Sequence, residues 1–146
     1  MKDFNYCIWF LPEGNHEWYN YTNGYKPHMT IKSKINKSEI YEYNDLLKLM
    51  DQYKIKVKLI NKLYQTKLNY FYSLQYDIEI CDEKQPKWWP NNAHISFRYK
   101  YNLPFSDKQI NELDKQIKVK EAYLDKIQIY NCIGDFSTWK SLTITS

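Results

Sequence analysis

Three glycines in 146 residues leave little from which to build a phosphate-cradling loop, and no Walker-type or dinucleotide fingerprint is present. Arginine is almost missing: of 21 basic residues, only Arg98 is one. The net charge of +4 is mild and spread along the chain, so most lysines read as a solvated surface, compatible with an anionic ligand. Cysteine is equally sparse. Cys7, Cys81 and Cys132 are odd in number and have no metal-ligand spacing, which excludes a disulfide framework and a zinc cluster. Each lies in or beside an apolar run, as buried free thiols do in a reducing compartment. No apolar run approaches the ~18 residues of a membrane span, and the one near the N-terminus is too short for a signal peptide. The expectation is a cytoplasmic, monomeric protein with no membrane partner and one domain over residues 1–146.

Aromatic residues are plentiful, at 18% with 15 Tyr and 5 Trp. "NYCIWFLP" (5–12) reads as a strand closed by proline. Residues 13–26 are turn-rich and read as loop, with His16 a solvated loop residue. "HMTIKS" after Pro27 alternates as a half-buried strand. A helix follows, capped by Ser38, with Ile40, Tyr43, Leu47 and Met50 on its core face. Strands are predicted at 55–60 and 68–80, pairing as a hairpin, then a loop at 81–92 and a strand from Ala93. Ser106 and Gln109 form a capping box for a helix that buries Ile110, Leu113 and Ile117. Strands at 122–133 and 138–146, joined by a turn at Gly134–Asp135, close the chain. The two halves repeat one plan: a His-x-Thr/Ser strand, a capped helix and a pair of strands.

Two of the three histidines sit in that repeated motif, in "PHMTI" and "AHISF". Side chains alternate across a strand, so His28, Thr30 and Lys32 should share one face, as should His94, Ser96 and Arg98. Two such strands facing one another would offer two imidazoles, two hydroxyls and two cations. That set suits a phosphodiester. One imidazole activates water while the other protonates the leaving oxygen. The hydroxyls donate to the non-bridging oxygens, and the cations attract the anion. Neither a metal nor another cofactor is called for.

The motif pair resembles the signature of the 2H phosphoesterases. "YCIWFLPEG", "HISFRY" and "STWKSLTI" are further similar to the plant and yeast cyclic phosphodiesterase branch. The resemblance implies an α+β, bilobal fold: two antiparallel sheets related by a pseudo-two-fold axis, with a central groove and outer helices. It implies His28 and His94 as the acid–base pair, Thr30 and Ser96 as phosphate-binding hydroxyls, and Trp9 and Tyr99 as pocket-lining residues. Strict alternation conflicts with the last of these, since it puts Tyr99 on the core side. Lys32 and Arg98 come from alternation alone. The chain departs from that branch in lacking helices at 13–26 and 81–92, where Trp88 and Trp89 either stack on a base or pack over the core edge.

The expected activity is metal-independent opening of a nucleoside 2′,3′-cyclic phosphate or of the 1″,2″-cyclic phosphate of ADP-ribose. Two alternatives use the same groove. One is cleavage of 2′–5′ oligoadenylates or cyclic oligonucleotide signals, which would fit a small virus-encoded protein in a host cytoplasm. The other is non-catalytic binding of RNA ends. In each case the partner is a cyclic nucleotide or short oligonucleotide.

Overall fold

The computed structural model describes residues 6–22, 25–50, 53–68, 71–81, 84–132 and 140–142. Its strands are β1 (Tyr6–Pro12), β2 (Met29–Ile35), β3 (Ile55–Leu68), β4 (Phe71–Ile80), β5 (His94–Tyr101), β6 (Glu121–Asn131) and β7 (Lys140–Leu142). The helices are α1 (Asn44–Met50) and α2 (Asp107–Gln116). The fold is α+β, in the predicted element order. The predicted turn at Gly134–Asp135 and most of the 138–146 strand lie outside the described residues, as does the Met50 side chain.

All the strand pairs are antiparallel and form one hydrogen-bonded sheet, in the order β2-β1-β6-β3-β4-β5, with β7 also on β6. This differs from the two separate sheets expected. The end strands of that order are themselves joined by an isolated bridge between His28 and Ser96, where the Ser96 amide donates to the His28 carbonyl at 3.1 Å. The sheet therefore curls until its two edges meet, and they meet at the two motifs.

One face of the curled sheet carries the main core, including Ile8, Phe10, Met29, Leu74, Tyr76, Ile95, Phe97, Leu124 and Ile129. Alternation puts these residues on one side of their strands. Helix α2 seals the core with Leu113, Ile117 and the half-buried Ile110, and its predicted capping box is formed: Gln109 N–H donates to Ser106 Oγ at 3.1 Å and Ser106 N–H to Gln109 Oε1 at 2.8 Å. The first helix differs from expectation. It begins as a 3-10 helix at Lys37–Tyr43, preceded by Asn36 rather than capped by Ser38, although Ile40 is buried and Tyr43 and Leu47 pack on the core as predicted.

Within the stretch read as loop, residues 13–22 are more structured than their composition suggests. Glu17–Tyr21 is a 3-10 helix that drives Trp18 into the core, with Trp18 Nε1 donating to the Val119 carbonyl at 2.8 Å. His16 is not merely solvated. Its Nδ1 accepts from the Trp18 amide at 3.1 Å, so Nε2 carries the hydrogen that reaches the Glu121 carbonyl at 2.8 Å. The loop tryptophans pack rather than project: Trp89 is buried in the core, and Trp88 rests against Phe10 and Tyr53.

Candidate active site

The opposite face of the sheet carries both histidines and both motif hydroxyls, His28, Thr30, His94 and Ser96. His28 and His94 are held in the same way. Each Nδ1 lies against the carbonyl two residues upstream, at 2.7 Å from Lys26 O and 2.9 Å from Asn92 O. A carbonyl can only accept, so each Nδ1 carries hydrogen and each Nε2 is left to accept or deliver a proton. The bridge between His28 and Ser96 brings the second motif against the first.

The two strands also share a defect. Trp9 faces Thr30 and Ile8 faces Lys32, so β2 has one extra residue at Ile31. Gln75 faces Ser96 and Leu74 faces Arg98, so β5 has one extra residue at Phe97. In each motif the bulge falls three residues after the histidine, and a bulge reverses the alternation beyond it. Lys32 therefore joins the face of Ile8, where its ammonium sits 5.1 Å from the Tyr43 ring centroid. Arg98 joins the face of Leu74, and its Nε donates to the Tyr21 carbonyl at 2.9 Å. Neither predicted cation lies on the histidine face.

The same reversal resolves the conflict over Tyr99 by turning its ring toward His28. The phenol approaches His28 Nε2 at 3.3 Å. Burial pushes this phenol above its ordinary range, against a smaller opposing pull from a hydrogen bond with Ser96, so Tyr99 stays protonated and acts as donor. Tyr25 stacks on Tyr99 at 4.5 Å and 11°, and Phe71 meets its edge at 5.1 Å. On the other side of His28, Trp9 lies flat on the imidazole and is backed by Tyr130. Trp9, Leu11 and Tyr130 form a second, smaller apolar cluster that Cys7 and Cys132 flank.

His28 is 1% exposed, and its pKa is lowered to about 3. Burial is the main cause; the Lys26 carbonyl opposes it, and the neighbouring His94 charge adds to it. His28 is thus a neutral imidazole with its lone pair on Nε2. His94 and Thr30 are half-buried, and Ser96 is buried.

A polar group on β3 and β4 was missed by the sequence reading. Asp77 is the cross-strand neighbour of His94, and Gln75 that of Ser96. The Tyr64 hydroxyl donates to Asp77 Oδ1 at 2.6 Å, and Gln75 Nε2 donates to that hydroxyl at 2.9 Å. The signal was present in "SLQYDI", where Ser73, Gln75 and Asp77 alternate with Leu74, Tyr76 and Ile78. Gln75 and Ser73 are buried on that polar face, so other side chains cover it rather than open solvent. Among the described residues, no three His, Cys, Asp or Glu side chains converge as metal ligands.

No protein-family model and no curated protein matches the chain. Among solved structures it is similar to Usb1 of Kluyveromyces marxianus, determined with uridine monophosphate. The identity is 9% and the TM-score 0.50, with 98% of this chain and 99% of that chain covered. At that identity the likeness is one of fold.

Proposed function

We propose that this chain is a metal-independent phosphodiesterase of the two-histidine type, opening a nucleoside 2′,3′-cyclic phosphate or the 1″,2″-cyclic phosphate of ADP-ribose. One observation carries the reading: the matched tethering of His28 and His94 through Nδ1, on strand ends bridged at His28 and Ser96. A purely structural histidine needs no such pairing. The solved Usb1 structure contains uridine monophosphate, which supports a nucleotide as the ligand.

In this reading His28 is the base. Its neutral Nε2 takes a proton from the attacking water, and the phosphate's negative charge raises its affinity for that proton on arrival. Substrate replaces the long contact from Tyr99, which must swing aside to expose Nε2. His94 delivers a proton from Nε2 to the leaving oxygen. Thr30 and Ser96 donate to the non-bridging oxygens, where charge grows in the transition state.

The test is hydrolysis of uridine 2′,3′-cyclic phosphate and ADP-ribose 1″,2″-cyclic phosphate by wild type, His28→Ala and His94→Ala, with and without chelator. Each variant should lose at least a hundredfold in kcat while keeping its circular dichroism spectrum, given that positioned acid–base groups contribute roughly 10²–10⁴-fold each. Chelator should leave the wild-type rate unchanged. A folded His28→Ala protein with full activity would sink the proposal.

A further inference from the structure

Two of the chain's three cysteines meet beside the rings that back His28. In the β1–β6 ladder Cys7 is opposite Tyr130 and Tyr6 is opposite Asn131, and Cys132 follows directly after that last pair. Cys7 shares the face of Trp9 and Leu11 on β1, since side chains alternate along a strand. Both cysteines pack against the small cluster of Trp9, Leu11 and Tyr130. Both are thiols rather than halves of a disulfide, and both are only half-buried, so a small reagent can reach them.

Their surroundings suit them to different roles. Cys132 Sγ lies 3.9 Å from the Tyr130 carbonyl and also hydrogen-bonds the Cys7 sulfur. The β1–β2 ladder carries a second irregularity here. Tyr6 faces Ile35 and Ile8 faces Lys32, so Ser33 and Lys34 share Cys7 as their partner. Lys34 is left-handed, with φ 57°, a conformation uncommon outside glycine, and its backbone amide donates to the Cys7 sulfur. The Cys132 thiol and this amide hold the Cys7 thiol below its ordinary range, against burial. Cys132, the donor of that pair, is pushed up, and burial adds to the rise. Cys7 is therefore the nucleophile of the two.

The pair stands short of bonding geometry. Cys7 and Cys132 are diagonal across the ladder, where Cα atoms lie ~7–8 Å apart, against ~4.4–6.8 Å in a disulfide. Closing the bond draws the end of β6 toward β1. Cys132 lies past the last β1–β6 pair, so it is the side that moves, and it carries Tyr130, whose ring backs Trp9. Trp9 in turn lies on His28. Charge on either sulfur also raises the Tyr99 phenol, so the pair neighbours both residues that cover the His28 ring.

We infer that Cys7 and Cys132 are a redox modification site: glutathione disulfide, or another low-molecular-weight disulfide, converts them to an intramolecular disulfide, and the bond pulls Tyr130 and Trp9 off their alignment with His28. The Cys7 thiol gives its proton to solvent, and its thiolate attacks one sulfur of the reagent and expels one glutathione thiolate. That thiolate takes the Cys132 proton. The Cys132 sulfur then attacks the mixed disulfide on Cys7 and expels the second glutathione thiolate, which is protonated by solvent. Two electrons pass from the cysteine pair to the reagent, which leaves as two glutathione thiols. A bond that strains a sheet edge is readily reduced again, so the dithiol is the resting form in a reducing compartment. Formation of the bond is independent of the two-histidine reading; its effect on turnover rests on that reading.

The experiment treats wild type, Cys81→Ser and Cys132→Ser with glutathione disulfide. Peptide mass spectrometry should map a Cys7–Cys132 bond in wild type and Cys81→Ser, reversed by dithiothreitol. Cys132→Ser should instead retain glutathione on Cys7. In the proton NMR spectrum the His28 Cε1–H resonance, assigned by its loss in His28→Gln, lies in the ring current of the Trp9 indole and should move downfield when the bond forms. Absence of the bond overturns the inference, and so does a bond that leaves the resonance in place. With uridine 2′,3′-cyclic phosphate, kcat of the oxidised protein should be lower by ~5-fold or more, within the ~10²-fold that an ångström of misplacement can cost. Equal rates in an active enzyme also overturn the inference. If neither form turns over the cyclic nucleotide, the two-histidine reading fails, and the mapped bond and the resonance alone decide this one.

Discussion

Trp9 lies flat on the imidazole of His28, with ring centroids 3.5 Å apart and planes 8° from parallel. Tyr130 backs Trp9 at 4.0 Å, so the histidine leans on two aromatic layers from adjacent strands β1 and β6. With Nδ1 tied to the Lys26 carbonyl, the stack fixes the one remaining freedom of the ring, its tilt. Under the proposed reaction, Trp9 is therefore a positioning residue for His28.

Replacing Trp9 should therefore cost both stability and rate. Trp9→Ala removes a fully buried indole, worth ~3–5 kcal/mol by the precedent of large-to-small core changes. Trp9→Phe keeps a flat ring and should cost less. In a folded Trp9→Leu protein, the imidazole loses its planar support and kcat should fall roughly tenfold to a hundredfold, as for an ångström-scale misplacement. Thermal unfolding and kcat on the cyclic nucleotide measure the two effects. A folded Trp9→Leu protein at wild-type kcat would remove Trp9 from the positioning role.

How far alternation can be trusted is visible at six residues. His28 and Thr30, like His94 and Ser96, lie before the bulges, and there the period of two holds. Lys32 and Arg98 lie just beyond them, and there it fails. Nothing in "HMTIKS" or "HISFRY" marks the bulge, since Ile31 and Phe97 are ordinary strand residues; the extra residue is a property of pairing with β1 and β4. The resemblance carried Tyr99 onto the histidine face where periodicity did not. Trp18 escaped for another reason: its flanking Asn, Gly and Tyr residues suggest a loop, while its burial depends on partners about a hundred residues away.

The cations make a direct test of this geometry. If Lys32 and Arg98 faced the groove, losing either would weaken phosphate binding. Placed as they are, Lys32→Ala and Arg98→Ala should leave KM for the cyclic nucleotide within about threefold. Their stabilities should diverge. Arg98→Ala gives up a charged hydrogen bond to the Tyr21 carbonyl and should cost ~1.5–3 kcal/mol. Lys32 is exposed, and its loss should fall within ~0.5 kcal/mol. A tenfold rise in KM for either variant would contradict the placement.

The third histidine, His16, is held differently from His28 and His94. Both of its ring nitrogens are committed, one to the Trp18 amide and one to the Glu121 carbonyl. His16→Ala should cost ~1–3 kcal/mol from these two bonds, with kcat unchanged. His16→Asn should recover part of the loss, because its side-chain oxygen can still cap the 3-10 helix. Urea denaturation of the three proteins gives the order expected: wild type, His16→Asn, His16→Ala.

Burial of His28 also ties fold stability to pH. Its folded pKa of about 3 lies below the unfolded value of 6.5, so below pH 6.5 the unfolded chain binds a proton that the folded chain refuses. The stabilisation of the folded state is complete above pH 6.5 and is lost as pH falls toward 3. Its slope approaches ~1.4 kcal/mol per pH unit and its total is roughly 5 kcal/mol. His28→Gln has no such proton to refuse. Stability from urea melts at intervals between pH 7 and pH 4 should fall more steeply for wild type than for His28→Gln, by close to one proton per molecule. Parallel curves would mean that His28 takes up its proton in the folded protein near the ordinary value, and so is not the buried neutral imidazole assigned here as base.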